Sequence, residues 1–468
     1  MRGSNWLASC FSRFEKRRKR RLHLHGTSRI NERGHLEIGG VDTVELVRRF
    51  GTPLYVMDEA YIRQQCRLYV KSFQASGLPF QVAYASKAFS TMAMCRLVHE
   101  EGLALDVVSA GELYTALKAG FPAEKIHFHG NNKTPAEIEL ALEAGIGSFV
   151  IDNFTEIDLL NALAQEKGLQ VNVLIRVTPG VEAHTHEYIQ TGQVDSKFGF
   201  DLASGQAMEA VRRILDKPAL QLKGFHCHIG SQIFDVRGFE AAVERMGQFM
   251  HDVRRQLGYT ARVLNMGGGF GIRYTEEDMP LPIPVYVEAL TKAVKSTFDA
   301  LAYPYPEIHV EPGRSIVGEA GTTLYTVGTM KTVPGVRTYV AVDGGMTDNP
   351  RPALYQARYE AMLANKAAAE RTDVVSVAGK CCESGDMLIW DVRLPKVEVG
   401  DILAVFCTGA YNYSMASNYN RIGRPAVVFV KDGQADLVVE RESLDDLIRL
   451  DRIPARLMAG VTSAGCSQ

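Results

Sequence analysis

The chain has 468 residues, 46% of them hydrophobic and 23% charged, an ordinary balance for a globular protein long enough for two domains. A net charge of −2 gives no reason to expect a nucleic-acid partner. Eight cysteines are too few for a disulfide scaffold, and no pair has zinc-ribbon spacing, which favours a reducing compartment. No run of about 18 apolar residues occurs, so no membrane partner is expected and a cytoplasmic location is predicted.

The first 35 residues carry much of the positive charge. They contain ten Lys or Arg and two Asp or Glu, with a basic run at residues 13–21. Such a run is typical of a nucleic-acid or membrane-surface patch, or of a solvated tail. No apolar stretch follows it, unlike in a secretory signal. We predict a disordered tail over residues 1–35.

From about residue 58 to residue 311, short apolar runs alternate with stretches of helical periodicity. Eight runs predict strands, at 81–85, 104–108, 125–129, 148–152, 171–178, 223–229, 262–266 and 307–311. Continuous apolar strands separated by helices are typical of a parallel sheet covered on both faces. Eight of them predict a closed (β/α)8 barrel, which we place at residues 58–314.

Beyond Gly318 the pattern changes to strands joined by Gly, Pro and Asp turns. Strands are predicted at 322–333, 337–342, 373–377, 387–391, 402–407 and 426–430. Residues 36–57 also have β character, and we expect them to join this part of the chain. The prediction is therefore a second, antiparallel β domain built from residues 36–57 and 315–460.

In a (β/α)8 barrel, the loops at the carboxyl ends of the strands build the functional site. The eight predicted strands each end at a polar residue or at glycine. The residues are Lys87, Asp106, His129, Asp152, Asn153, Arg176, His228, Gly267, Gly268, Gly269 and Glu311 to Arg314. This regularity predicts one site at one mouth of the barrel.

These residue types suit a cofactor with an aldehyde and a phosphate, as in pyridoxal phosphate. The amine of Lys87 can hold an aldehyde as a Schiff base. The three glycines let backbone N–H groups approach a phosphate, and Ser231 can donate a further hydrogen bond. Alternatively, the glycines form a flexible turn and His228 is a buried histidine instead of a group lying over the cofactor ring. No metal is expected.

Glu311 indicates the type of reaction. A carboxylate beside a pyridine nitrogen keeps that nitrogen protonated, so that the ring becomes a strong electron sink. Racemases on similar barrels use an arginine at this place, and a glutamate therefore favours decarboxylation. Arg314 offers a planar fork for a carboxylate or a phosphate.

Ten motifs between residues 36 and 430 carry a family resemblance. They are YASKA at 84–88, DVVSAGEL at 106–113, HGNNK at 129–133, DSKFG at 195–199, HCHIGSQ at 226–232, NMGGGFG at 265–271, EPGRS at 311–315, RPALY at 351–355, CCESGD at 381–386 and GAY at 409–411. Together they resemble the fold-type-III pyridoxal-phosphate decarboxylases, and within them the diaminopimelate decarboxylases.

The resemblance implies a role for each motif. Pyridoxal phosphate would be bound by Lys87, Asp106, His228, Ser231, Gly267, Gly268, Gly269, Glu311, Pro312, Gly313, Arg314 and Tyr411. The substrate would be bound by Arg314, Arg351, Tyr355, Glu383 and Tyr411. Lys87 and Cys382 would be catalytic, with Cys382 donating a proton after carbon dioxide leaves. A homodimer is implied, in which Cys382 and Glu383 complete the active site of the neighbouring subunit.

The implied reaction converts meso-2,6-diaminopimelate to L-lysine and carbon dioxide, the last step of lysine biosynthesis. Arg314, Arg351 and Glu383 match the charges at the end of this substrate that does not react. The alternative is a decarboxylase of the lysine or ornithine type, whose substrate has no distal carboxylate for Arg351. Arg351 could also be a surface residue after a turn.

Two further alternatives concern catalysis. A non-catalytic binding protein on this barrel should lack Lys87 or Cys382, and both are present. Cys381 and Cys382 could have structural roles only. Adjacent side chains point apart, so at most one of the two faces a site.

Overall fold

The computed structural model describes residues 22–181 and 196–458. Three parts of the predictions lie outside the described residues: residues 1–21 of the basic tail, Asp195 of the DSKFG motif, and residues 459–460 of the second domain. No described helix is long and apolar enough to cross a membrane.

The N-terminal segment forms a small antiparallel sheet of three strands, one helix and a fourth strand that belongs to a different sheet. In order these are β1 (Arg29–Ile30), β2 (Leu36–Ile38), β3 (Val41–Asp42), α1 (Thr43–Phe50) and β4 (Leu54–Asp58). The N–H and the hydroxyl of Thr27 donate to the Asp58 carboxylate at 2.8 and 2.7 Å. The folded chain therefore begins before residue 36, earlier than predicted. The sequence did not indicate this start, because polar contacts of this kind give no apolar signal.

Eight parallel strands close into a barrel, since each pairs with the next and the last pairs with the first. A further two-residue strand, Phe200–Asp201, pairs in parallel with the end of the fifth barrel strand. The strands are β5 (Phe80–Ala85), β6 (Ala104–Val107), β7 (Ile126–Phe128), β8 (Ser148–Ile151), β9 (Val171–Thr178), β10 (Phe200–Asp201), β11 (Leu220–His226), β12 (Val263–Asn265) and β13 (Glu307–Val310). The predicted barrel is confirmed.

Helices cover the outside of the barrel, and their buried apolar side chains join those of the strands in one core. They are α2 (Glu59–Ser76), α3 (Met92–Glu100), α4 (Ala110–Lys118), α5 (Pro135–Ala144), α6 (Phe154–Glu166), α7 (Gln206–Leu215), α8 (Arg237–Leu257), α9 (Ile283–Ala300) and α10 (Arg314–Val317). The side chains of Ser109, Thr134 and Asn153 cap α4, α5 and α6 by accepting a backbone N–H three residues on. These caps fix where the loops at the barrel mouth end.

The second domain is a mixed sheet with a core of its own. Its elements are β14 (Gly321–Val333), β15 (Arg337–Val342), α11 (Arg351–Tyr355), β16 (Ala361–Leu363), β17 (Asp373–Ala378), β18 (Met387–Leu394), β19 (Ile402–Phe406), β20 (Ala426–Lys431), β21 (Gln434–Val439), α12 (Leu444–Ile448) and α13 (Ala455–Met458).

The expected participation of the N-terminal segment in this sheet is confirmed by β4, which lies between β14 and β20. Most pairings are antiparallel, as predicted, but β4 with β20 and β15 with β17 are parallel. The hydrophobic pattern of a strand does not indicate whether the neighbouring strand runs parallel or antiparallel to it. The strands β16 and β21 were not predicted.

A buried ion pair ties the ends of two barrel strands together. Lys133 Nζ lies 2.6 Å from Glu156 Oε1 and donates to the carbonyl oxygens of Gly130 and Val150 at 2.9 and 2.8 Å. Lys133 therefore holds the loop after β7 against β8. This loop begins at His129, a residue of the predicted site.

Candidate active site

Lys87 stands at the mouth of the barrel. It belongs to a single 3₁₀ turn, Ser86–Ala88, directly after β5, and its side chain is exposed while its two neighbours are buried. The Tyr411 N–H donates to the carbonyl of Ala88 at 2.8 Å, and the Ser414 hydroxyl donates to the carbonyl of Lys87 at 3.0 Å. A loop of the second domain thus fixes the backbone that carries Lys87.

The segment that follows β13 lies against the Lys87 turn. The Ala85 N–H donates to the Pro312 carbonyl at 3.2 Å. A Cβ on Gly313 would come within 3.1 Å of the side chains of both Ala85 and Ala88, so the two backbones approach closely here. The structure therefore places the amine of Lys87 and the Glu311 loop at the same end of the barrel.

The Glu311 carboxylate is held by three side chains from other strand ends. Asn265 Nδ2 donates to Oε1 at 2.5 Å, and His129 Nε2 lies 3.2 Å from the same oxygen. His226 Nε2 lies 3.1 Å from Oε2. Asp106 Oδ1 is 3.6 Å from His129 Nε2, so it joins the same cluster. Sequence reasoning gave no role to Asn265 or His226, although each is the last residue of its strand.

The electrostatics of this cluster separate its members by charge. Burial, and secondarily Glu311, raises the pKa of Asp106 to about 7. Burial opposes the charge on His129, but Glu311 and Asp106 outweigh it and the pKa of His129 rises to about 9. Burial lowers the pKa of His226 to about 4. Burial opposes the charge on Glu311, but His129 and His226 outweigh it and hold the pKa of Glu311 well below its ordinary value. At neutral pH the cluster therefore contains a cationic His129 beside an anionic Glu311.

Three of these groups could also hold a metal ion. Ligand atoms of His129, His226 and Glu311 lie within 4.8 Å of one another. The hydrogen bond from Asn265 occupies one Glu311 oxygen. The expectation that no metal binds here stays a prediction.

The three glycines pack tightly against neighbouring backbone. A Cβ on Gly268 would lie 2.3 Å from the carbonyl oxygen of Glu311, and one on Gly267 would lie 2.8 Å from His228 Nδ1. Gly269 has a φ of 100°, in the left-handed region that favours glycine. The Gly268 N–H is directed at His228 Nδ1, 3.2 Å away. The alternative of a merely flexible turn does not account for this packing.

Several buried polar atoms at the mouth have no hydrogen-bond partner among residues 22–181 and 196–458. They are both carboxylate oxygens of Asp106, Nδ1 of His226, Nε of Arg314 and Oγ of Ser86. Buried polar atoms are normally paired, because an unmade hydrogen bond there costs about 1–3 kcal/mol. The residues present fit a polar, aromatic, anionic group such as pyridoxal phosphate.

Two buried guanidinium groups lie beside this mouth. Arg314 donates to the hydroxyl of Tyr274 at 2.5 Å and to Ser231 Oγ at 2.9 Å. Arg351 donates to the hydroxyl of Tyr359 at 2.6 Å. Within the described part of the chain, neither guanidinium forms an ion pair with a carboxylate. Arg351 is only 6% exposed, so the alternative of a surface residue is wrong.

The environment of Arg351 favours its charge. Burial opposes the cation, but the neighbouring Tyr274 and Tyr359 outweigh this effect, and the pKa of Arg351 lies above its ordinary value. Tyr411 lies close by, with its ring centroid 4.8 Å from Arg314 Cζ. Tyr411 has a φ of 63°, unusual for a residue with a side chain. The strained backbone directs this tyrosine to the barrel mouth.

Other residues on the strand-end list have structural partners. Asn153 caps α6. Asp152 accepts the Gly199 N–H at 3.0 Å and lies 3.9 Å from Arg176 Nε. The guanidinium of Arg176 stacks 4.3 Å from the Phe198 ring centroid. These three side chains shape the wall beside the mouth.

Tyr355, Cys382 and Glu383 are exposed on the second domain. Among the described residues, no hydrogen bond, ion pair or ring contact joins them to the barrel mouth of their own chain. The turn that carries Cys382 is well fixed, since its N–H donates to Asn420 Oδ1 at 2.7 Å and the Cys381 N–H donates to buried Asp386 at 2.7 Å. Cys381 is buried and Cys382 exposed, so the two adjacent side chains point apart.

Comparison with known proteins shows the family of this chain. The family model described as "Pyridoxal-dependent decarboxylase, pyridoxal binding domain" matches residues 59–318. The chain is 61% identical over 430 residues to the diaminopimelate decarboxylase of Bacillus subtilis, covering 92% of this chain and 98% of the relative. It is 51% identical to that of Staphylococcus aureus, covering 90% and 99%.

Solved structures give the same result. The crystal structure of diaminopimelate decarboxylase from M. jannaschii in complex with L-lysine is 39% identical, with a TM-score of 0.88 and coverage of 93% of this chain and 100% of that chain. The chain therefore belongs to the fold-type-III pyridoxal-phosphate decarboxylases, in the diaminopimelate decarboxylase family.

Proposed function

We propose that this chain removes one carboxylate of meso-2,6-diaminopimelate in a pyridoxal-phosphate-dependent reaction, which yields L-lysine and carbon dioxide and is the last step of lysine biosynthesis. The observation that supports this substrate is the buried pair of Arg314 and Arg351, which lies beside the barrel mouth that contains Lys87 and Glu311. Buried charges without a partner are costly, so this pair calls for an anion. The carboxylate at the unreactive end of the substrate supplies it.

When bound, pyridoxal phosphate supplies an aldehyde that condenses with amines and a ring that stabilises the negative charge left by departing carbon dioxide. Lys87, the exposed amine at the mouth, would hold the aldehyde. Glu311, oriented by Asn265, His129 and His226, would face the ring nitrogen. The residues that would bind the rest of the cofactor are Asp106, His228, Ser231, Gly267, Gly268, Gly269, Pro312, Gly313, Arg314 and Tyr411.

The arginines would decide which carboxylate is lost. A planar guanidinium fork binds a carboxylate through two parallel hydrogen bonds and fixes its orientation. With the L centre of the substrate held by Arg314 and Arg351, the D centre is directed towards Lys87. Tyr355, Glu383 and Tyr411 would complete the contacts with the held end.

The proton that replaces carbon dioxide would come from the Cys382 thiol of a second subunit. Two observations support a homodimer with shared sites: Cys382 and Glu383 are exposed, and their turn is fixed although, among residues 22–181 and 196–458, no hydrogen bond, ion pair or ring contact joins these two residues to the mouth of their own chain. A general acid must reach its carbon within hydrogen-bond distance. The six cysteines in the described residues are free, which suits the reducing cytoplasm that we propose as location.

Substrate preference tests the proposed function. The purified protein with pyridoxal phosphate should release carbon dioxide from meso-2,6-diaminopimelate with a kcat/KM at least about 10²-fold above that for lysine, ornithine or arginine. The reason is that these amino acids leave the buried arginine pair without a carboxylate. Product analysis should identify L-lysine. A preference for ornithine or lysine would support the alternative decarboxylase.

A further inference from the structure

One tyrosine lies next to both buried guanidinium groups. Arg314 Nη1 donates to the Tyr274 hydroxyl at 2.5 Å, and Arg314 Cζ lies 5.6 Å from the ring centroid. Arg351 Cζ lies 4.8 Å from the centroid of the same ring. Tyr274 is itself 7% exposed. Tyr274 therefore contacts both cations.

Tyr274 reaches this position from the barrel, in the loop between β12 and α9. Its ring packs in the core of the second domain, edge to face with Tyr359 at a centroid distance of 5.5 Å. The loop is pinned on both sides of the ring. The N–H groups of Tyr274 and Thr275 donate to Asp278 at 3.1 and 2.8 Å, and the Arg273 N–H donates to Glu319 at 3.1 Å.

The chemistry of a tyrosine suits this place. Two guanidinium groups near one another repel, and an aromatic ring attracts each of them through its negative face. A carboxylate would bind the arginines more strongly but would also neutralise them. The phenol hydroxyl accepts a hydrogen bond from Arg314 and leaves the positive charge intact. Both forks thus stay oriented and cationic.

We propose that Tyr274 is a positioning residue that determines specificity, because it presents Arg314 and Arg351 together as the receptor for the carboxylate at the unreactive end of the substrate. This inference rests on the proposed function. The product L-lysine keeps that carboxylate, whereas cadaverine, the diamine without it, does not. The difference in affinity between these two ligands therefore reports on the receptor without any catalytic step.

The test uses the holoenzyme with Tyr274→Leu, which removes the ring, and Tyr274→Phe, which removes only the hydroxyl. Tyr286→Phe is the matched control, since Tyr286 is 2% exposed and its hydroxyl donates to the Ile233 carbonyl at 2.7 Å and not to an arginine. Calorimetric titration with L-lysine and with cadaverine gives the affinities. Steady-state kinetics on meso-2,6-diaminopimelate give KM and kcat separately.

For Tyr274→Leu we expect L-lysine affinity to fall and KM to rise by about tenfold each, equivalent to about 1.4 kcal/mol. kcat should stay within about threefold, because the reacting end is untouched. Cadaverine affinity and the visible absorbance of the cofactor should not change. Tyr274→Phe should show a smaller effect in the same direction, and Tyr286→Phe should show none.

The proposal is overturned if Tyr274→Phe and Tyr274→Leu keep KM and L-lysine affinity within about twofold of wild type. It is also overturned if the variants lose L-lysine and cadaverine affinity equally, or lose cofactor, because a general structural defect would do this. The Phe variant keeps the ring and its packing, so it decides the question if the Leu variant does not fold. A wild-type protein without turnover on meso-2,6-diaminopimelate would contradict the proposed function. The L-lysine titrations would still test whether Tyr274 positions the two arginines.

Discussion

The Lys87→Ala protein should lose the visible absorbance of bound cofactor and keep at most trace turnover, a fall in kcat/KM of at least about 10³-fold. Lys87 is an exposed amine on a turn whose backbone is fixed by Tyr411 and Ser414, and the Glu311 loop packs against that turn. Alanine removes the only atom of this residue that can hold an aldehyde. Absorbance spectra and L-lysine formation measure the two effects.

Lys118→Ala is a suitable control for this experiment. Lys118 is exposed on α4, where its amine lies 5.2 Å from the ring centroid of Tyr114. Its removal should leave both the absorbance and the turnover of the protein unchanged. Near-normal activity of Lys87→Ala would show that another group holds the cofactor.

Cys382→Ala should bind cofactor normally but turn over about 10²–10⁴-fold more slowly, the usual contribution of a general acid. The thiol is exposed on a fixed turn, where alanine changes neither packing nor the hydrogen bond from the backbone N–H to Asn420. Cys381→Ala provides the matched control, because the adjacent thiol is buried and points away. An unchanged rate in Cys382→Ala would remove this residue from the mechanism.

Mixing the two inactive proteins tests whether the sites are shared. If Cys382 serves the neighbouring subunit, each mixed dimer of Lys87→Ala with Cys382→Ala contains one site with both residues intact. After dissociation and reassociation, activity should recover to about a quarter of the wild-type value, because half of the dimers are mixed. No recovery would mean that Lys87 and Cys382 act within one chain.

The barrel was predictable because its strands are buried on both faces, which makes them continuous apolar runs. The largest error concerns β11, which begins at Leu220 and not at residue 223. Its second residue, Gln221, is polar and exposed, so the continuous apolar run starts later in the strand. The edge strand β21 has one buried residue, Ala435, and its only apolar run is the three residues Leu437 to Val439.

Two parallel strand pairings in the second domain could not be obtained from the sequence. β4 pairs in parallel with β20, and β15 pairs in parallel with β17. Both pairings join segments that are distant in the chain or separated by other elements. Hydrophobic alternation within a strand contains no information about the direction of its neighbour.

The polar cluster could be predicted in part, because barrel geometry brings strand ends together. Asp106, His129 and Glu311 follow from that rule. Asn265 and His226 are the last residues of their strands, but for these two strand ends the rule selected Gly267 and His228 instead.

Tyr274 illustrates the limit of the strand-end rule. It lies nine residues beyond the end of β12, and its contacts depend on how the loop enters the second domain. The roles of Tyr355, Cys382 and Glu383 rest on the family resemblance and stay predictions. The roles of Cys382 and Glu383 also depend on a second subunit, about which the pattern of one chain gives no direct information.

Chemical trapping tests directly which lysine holds the cofactor. Reduction of the purified holoenzyme with borohydride fixes the cofactor to the amine that carries it, and mass spectrometry of the proteolytic peptides then locates it. We predict one added phosphopyridoxyl group per chain, on Lys87. A label on any other lysine, or a protein that takes up no cofactor, would contradict the account.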